Sequence, residues 1–407
     1  MESLLIVGII LFTGFILGEI VSKIKLPKVT GYILAGVLLN PELLHIIPSS
    51  FTNHTDIITN IALAFITFSV GGTLLYQKIK KLGKGIVYIT FFEAEFAFLA
   101  VFLGFLAITP FLLDIPNASL FTVFIPISIL LASLASPTDP SATLAVAHEY
   151  KAKGNVSSTI MGVAAFDDAL GIVNYSIAIT VAGLLIMHQS FSISSSIISP
   201  LYVIFGAIAL GLLVGFIFNI MSGITKRETE GMLIVLIICF LLICYGIANV
   251  IGVDELLATM AMGAFVVNFN KMREKIFKIL ERYTEELIFV LFFTISGIHL
   301  KFSVLSTSYI LIIFFVLFRT IGKVTGSKLG AHIARSPTKV KKYVAGGLIP
   351  QGGIVIGLAL LIKQNNAFDQ IADIIISVII GATIIHELIG PIVAKFSLKK
   401  AGEIKGE

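Results

Sequence analysis

The chain has 407 residues, 57% of them hydrophobic and 13% charged, with a mean hydropathy of +1.01. A soluble chain carries roughly twice that charge, so a soluble enzyme is excluded, and the long unbroken apolar runs exclude a β-barrel, whose short strands alternate. With about 20 apolar residues per crossing there is room for roughly a dozen helices, and the net charge of +5 takes its meaning from where the basic residues fall.

In chain order the apolar runs predict crossings at 3–22, 29–47, 57–76, 84–108, 119–148, 157–187 and 195–222, then at 229–250, 253–270, 284–299, 306–334, 341–362 and 370–396. The fold class is therefore an all-α polytopic membrane protein of about 13 helices. The first run lacks a basic leader and a small-residue cleavage site, which predicts a retained span and not a signal peptide. After residue 396 the sequence predicts only a short Lys/Glu tail.

Of the 29 Lys and Arg residues, 24 fall after odd-numbered spans, from Lys23, Lys25 and Lys28 to Lys395, Lys399, Lys400 and Lys405. Only Lys301 and Lys363 follow even-numbered ones, while Arg319, Lys323 and Lys328 lie within a span. Basic residues collect on the cytoplasmic side, so the alternation predicts an outside N-terminus and a cytoplasmic C-terminus. The basic charge is a topology signal and does not point to nucleic acid. Cys239 and Cys244 share one apolar run and imply no disulfide framework, and the seven histidines show no metal-site spacing.

Ionisable groups at membrane depth are costly, which makes each a candidate for function. The sixth span carries Asp167 and Asp168 about ten residues, or roughly 15 Å, from its cytoplasmic start. Two adjacent carboxylates there cannot both stay ionised and empty, so protons and a cation must compete for them. In the fifth span, Ser136-Pro137-Thr138-Asp139-Pro140 interrupts an apolar run with two prolines. Proline removes a backbone donor and breaks the helix, which predicts an unwound crossing whose loose carbonyls, Thr138 hydroxyl and Asp139 carboxylate suit a hard cation. The twelfth span has a matching interruption at Gly346–Ile354, including Pro350 and Gln351. Broken helices in corresponding halves point to inverted repeats with the site where they cross. The first repeat would be 1–187, a linker helix 188–228, the second repeat 229–396 and the tail 397–407.

Arg319 and Lys323 share one face of the eleventh span and must find partners. Lys323 reaches the depth of Asp167 as its counter-ion; the competing expectation is that it snorkels to the surface. Glu93, Glu95, Glu285, Glu286, His386 and Glu387 are expected to make inter-helix, interface or dimer contacts and not to bind transported ions.

These residues resemble the monovalent cation/proton antiporters, the sodium/proton exchanger superfamily. Gly18-Glu19-Ile20 through Leu26-Pro27-Lys28-Val29-Thr30-Gly31 to Gly36 is similar to the family's first helical hairpin, with Asn40 where Gly is usual before Pro41. The Asp167-Asp168 pair resembles that of the electrogenic branch, Thr138-Asp139-Pro140 its unwound helix, and Arg319-x-x-Gly322-Lys323 the helix supplying the lysine. Phe68-Ser69-Val70-Gly71-Gly72 lacks a glutamate found in some relatives, and Gln351-Gly352-Gly353 stands where many have Arg-Gly-Glu.

The resemblance implies exchange of Na+, Li+ or K+ for H+ by an elevator-like motion of a six-helix core against a dimerisation domain, in a prokaryotic plasma membrane and as a homodimer. It makes Asp168 the principal cation and proton ligand, lets Asp167 alternate between Lys323 and the ion, and gives Asp139 and Thr138 the shaping of the site, with Ser136, Pro137, Pro140, Pro350, Gln351 and Arg319 in support. If Lys323 releases a proton as Asp167 engages the ion, two protons move per Na+ and one net charge crosses. A sodium-coupled symporter of an organic solute shares the broken helices. An intramembrane aspartyl protease shares the aspartates but needs them on facing helices. No enzyme chemistry and no organic cofactor are indicated; the partners are monovalent cations, protons and lipid, with no nucleic acid.

Overall fold

The computed structural model describes residues 3–23, 28–44, 46–48, 51, 55–115, 118–139, 143, 152–186, 199–224, 229–299, 302–351 and 354–404. Regular structure among them is helical, apart from one antiparallel bridge between Thr138 and Gln351. The helices are α1 (Ser3–Lys23), α2 (Lys28–Leu39), α3 (Asp56–Thr73), α4 (Tyr76–Leu112), α5 (Ile125–Ser133), α6 (Asn155–Ile186), α7 (Ser199–Ile224) and α8 (Glu230–Ile251). They continue as α9 (Glu255–Phe269), α10 (Arg273–Tyr283), α11 (Glu285–Ile298), α12 (Phe302–Ile333), α13 (Thr338–Tyr343), α14 (Ile354–Gln364) and α15 (Asp369–Ala401). Among the described residues, eight helical stretches are individually long and apolar enough to cross a bilayer, and four apolar helices are shorter.

Departures from the apolar runs have local causes. The run 29–47 is helical only to Leu39, because Asn40 and Pro41 end it. The buried Asn40 amide donates instead to the Ile298 carbonyl at 2.8 Å, tying the end of α2 to the end of α11. In α4, Gly83 adopts φ +77°, so the crossing helix proper starts at residue 84, where the apolar run begins. The segment between the ninth and tenth runs forms α10, missed by a search for long apolar runs because it is amphipathic, burying Ile276, Ile279 and Leu280 under a charged face.

Both interrupted spans stop at half depth. α5 has nine residues and α14 eleven, roughly 14 and 16 Å of helix, about half the hydrocarbon core. α5 is preceded by a π-helical turn at Leu120–Phe124, and α14 by a 3-10 turn at Val344–Leu348. Where the two spans break, the described backbone leaves the helix, and there the two segments meet: Asp139 N–H donates to the Pro350 carbonyl at 3.2 Å, beside the Thr138–Gln351 bridge.

Glycines bring the helices at this crossing together. Gly322, Gly326 and Gly330 form a stripe on α12, and a Cβ on Gly326 would lie 2.2 Å from the Phe92 carbonyl oxygen and 2.7 Å from Glu93 Cα of α4. Without hydrophobic drive inside lipid, such close backbone approach is how helices gain packing energy. On α6, a Cβ at Gly171 would lie 2.5 Å from Pro137, which seats the helix carrying the aspartates against the unwound segment. The start of α6 is held by Glu403, just past α15, which accepts from Val156 N–H at 2.7 Å and from Ser157 N–H at 2.8 Å, satisfying orphan donors of the helix start.

Candidate functional site

Consecutive residues on a helix point about 100° apart, so Asp167 and Asp168 face different surroundings. Asp167 is fully buried and turns toward α12; the Thr138 hydroxyl donates to its Oδ2, and Lys323 Nζ lies 3.3 Å from the same oxygen. Asp168 turns the other way, lining a cavity of about 280 Å³ with Thr138, Asp139, Ser69 and Thr73, walled by Phe65, Phe293 and other apolar side chains. Its Oδ1 is buried without a hydrogen-bond partner, and Asp167 Oδ1 likewise. Unpaired carboxylate oxygens are rare in folded proteins, and that of Asp168 sits beside a largely apolar cavity that has room for a hydrated cation and carries a few oxygen-bearing side chains.

Lys323 and Arg319 are both fully buried, one helical turn apart. Arg319 spreads its guanidinium over the carbonyls freed by the two breaks: Ala135 at 2.8 Å, Pro137 at 2.8 Å, Ile349 at 2.6 Å and Pro350 at 3.3 Å. The planar, multi-donor group suits that task, which an ammonium could not perform. Lys323 donates to the Ser136 carbonyl at 2.5 Å and the Thr138 hydroxyl at 2.6 Å. The surface-snorkelling reading is thereby corrected: α12 runs tight against α4 and holds Nζ at the break of the fifth span.

Glu93 of α4 is the side chain that sequence reasoning misplaced in importance. It is fully buried, with Oε2 2.8 Å from Lys323 Nζ, closer than Asp167. It is an inter-helix contact as expected, but the contact is with Lys323, which also lies beside Asp167. The Gly322–Gly326–Gly330 stripe was the available signal, since it marks the face of α12 that a neighbouring helix must approach. Glu95, by contrast, only accepts from Asn174 at 3.2 Å, and Glu286 pairs with Lys28 at 2.7 Å.

Gln351 spans the crossing, donating to the Leu134 carbonyl at 3.1 Å while its Oε1 lies 3.0 Å from Nδ1 of the buried His386 on α15. Pro350 packs beneath Gly390, where a Cβ would lie 2.6 Å from its ring. Asp167, Asp168, Asp139, Thr138 and Lys323 are thus gathered at the crossing, with Ser136, Pro137, Arg319, Pro350 and Gln351 around them. Pro140 lies outside the described residues, as do Gly352 and Gly353.

The family described as "Sodium/hydrogen exchanger, transmembrane" matches residues 7–400 of this chain. A probable Na+/H+ antiporter of Bacillus cereus, GerT, is 24% identical over 366 residues, 88% of this chain and 92% of its own length. The high-affinity Na+/H+ antiporter NhaS3 of Synechocystis is 23% identical over 431 aligned positions, covering 93% of this chain and 87% of that protein. Among solved structures, the sodium proton antiporter MjNhaP1 of Methanocaldococcus jannaschii shares the fold with a TM-score of 0.76 at 21% identity, over 97% of both chains.

Proposed function

The chain belongs to the sodium/hydrogen exchanger family, and from that premise we propose that it is an integral multi-pass membrane antiporter exchanging Na+ for H+ at the Asp167–Asp168 pair. The observation that carries the reading is the split environment of the pair: Asp168 opens on the cavity at the crossing of two broken helices, while Asp167 stands behind it against Thr138 and Lys323. A carboxylate so placed is too costly to leave charged and empty, so it holds either a proton or a cation. Where protons are scarce Asp168 takes Na+, with Asp139 and the Thr138 hydroxyl completing the oxygen shell. Where they are plentiful they displace it. Only the loaded site crosses the apolar barrier at low cost, which converts competition into exchange.

The crossing is an elevator-type displacement of the core carrying α5, α6, α12 and α14 against the remaining helices, working as a homodimer and serving pH and sodium homeostasis. The N-terminus lies outside and the C-terminus in the cytoplasm, with spans one to six and eight to thirteen as inverted repeats. The antiporter relatives support exchange over symport or proteolysis, as does the presence of both aspartates on one helix.

The test is dissipation of an imposed ΔpH in proteoliposomes by Na+, Li+ and K+ in turn, without any organic solute. Dissipation by Na+ alone or by Na+ and Li+ is expected. A requirement for an organic substrate would overturn the reading.

A further inference from the structure

Arg319 covers four of the carbonyls at the crossing but not that of Leu134, the residue at which α5 unwinds. Gln351 takes that carbonyl, donating from Nε2 at 3.1 Å. A carbonyl can only accept, so the orientation of the amide is fixed and its Oε1 faces the other way, 3.0 Å from His386 Nδ1. An oxygen there needs a donor. Nδ1 therefore carries the imidazole hydrogen, and Nε2 is the bare nitrogen, buried and without a hydrogen-bond partner. His386, Gln351 and Leu134 thus form a chain of hydrogen bonds from the continuous helix α15, through the break of the twelfth span, to the end of α5. Gln351 is 0% exposed and His386 1%, so neither has bulk water as an alternative partner. The same face of α15 grips the break a second time, because Gly390, four residues past His386, is the position where Pro350 packs.

We propose that His386 is a positioning residue for the cation site: through Gln351 it sets where Thr138 and Asp139 stand, and with them the affinity for Na+ and its discrimination from Li+. The inference rests on the reading of Asp168 as the cation ligand given above. Gln351 pairs backbone to backbone with Thr138, and Asp139 N–H donates to the neighbouring Pro350 carbonyl. Thr138 and Asp139 line the cavity beside Asp168, so their oxygens move with the Gln351 segment. Choice between hard cations rests on cavity size and on how rigidly the ligand oxygens are held. Arg319 keeps the two segments together, whereas the Gln351 amide sets their register, because an amide with a donor on one side and an acceptor on the other has a single satisfied orientation. Without Nδ1, Oε1 becomes a buried acceptor with no donor, and the amide is free to turn away from Leu134. Space alone could be filled by carbon; what the site uses is the N–H.

The experiment measures exchange driven by Na+ and by Li+ in proteoliposomes, resolved into KM and kcat across pH, for three substitutions of His386. His386→Leu removes both nitrogens at similar bulk. His386→Asn places its Nδ2 donor where Nδ1 stands, while His386→Gln places its amide nitrogen nearer to Nε2. His386→Leu is expected to raise the KM for Na+ about tenfold, the order of effect for losing an outer-shell partner of a bound cation. Its ratio of Na+ to Li+ KM values should change while kcat stays near that of the wild type. His386→Asn should recover the wild-type KM values and His386→Gln should not. Unchanged KM values in His386→Leu, or a His386→Asn protein that recovers no better than His386→Gln, overturns the proposal. A pH profile shifted by all three substitutions does so too, because it would make His386 a proton carrier. Where His386→Leu yields no folded protein, the comparison of Asn with Gln decides alone. Asp168→Asn separates the two claims: exchange that survives it sinks the aspartate-pair reading, whereas a His386 series without effect removes only the positioning role.

Discussion

Arg319 and Lys323 are alike in charge, burial and helix, yet their sets of partners differ. Arg319 is bound by backbone carbonyls from both unwound segments, whereas Lys323 is bound by one carbonyl, one hydroxyl and the carboxylates of Glu93 and Asp167. Carbonyls cannot titrate or leave, so Arg319 is a fastener at the crossing of the two broken helices. Carboxylates can exchange an ammonium for a proton or a metal ion, so in the exchange proposed above Lys323 belongs to the chemistry. One turn of α12 thus separates what holds the site from what operates it.

If that division is right, Arg319→Leu should have the largest structural effect. It leaves carbonyls of both segments without donors, at about 3–5 kcal/mol for breaking a buried charged network, and is expected to abolish recovery of folded protein in detergent by size exclusion and thermal melting. Arg319→Lys should rescue little, because a point ammonium cannot fork across four oxygens. A stable, active Arg319→Lys protein would erase the distinction between the two residues.

Lys323→Ala comes next, and its cost should depend on Glu93. Alone it strands two buried carboxylates and should lower the melting temperature and stop exchange. Combined with Glu93→Gln, part of the stability should return, a coupling of about 0.5–3 kcal/mol in a double-mutant cycle. Additive losses would mean that the 2.8 Å contact carries no energy.

Smaller effects test the supports. Gly326→Ala adds a methyl group 2.2 Å from the Phe92 carbonyl oxygen and should cost about 1–3 kcal/mol by forcing α4 and α12 apart, with exchange reduced more than by Ala at Gly231, whose surroundings are open. Glu403→Ala removes the carboxylate that caps α6 and should cost about 1 kcal/mol in thermal unfolding while leaving the site's ion preference unchanged.

Much of this was legible from composition and spacing. The apolar runs locate most helices, and Pro137, Pro350 and the buried aspartates locate the crossing, because bilayer physics allows polar backbone and charge only where something satisfies them. Two kinds of information were hidden. Local chemistry at Asn40 and Pro41 ended α2, and amphipathic patterning formed α10, neither of which an apolar-run count can register. Long-range pairing was hidden as well: Glu93 and Lys323 are 230 positions apart, and nothing local to Glu93 distinguishes it from Glu95, which merely accepts from an asparagine. The glycine stripe on α12 announces a close neighbour but not which helix it is.

The central claim is that Na+ and a proton compete for Asp168. Sodium affinity of the purified protein, followed by calorimetry across pH, measures that competition directly. One displaced proton predicts an apparent Kd that rises about tenfold for each pH unit lowered through the acidic limb and levels off at alkaline pH, with binding lost in Asp168→Asn. An affinity indifferent to pH, or undiminished by that substitution, would contradict it.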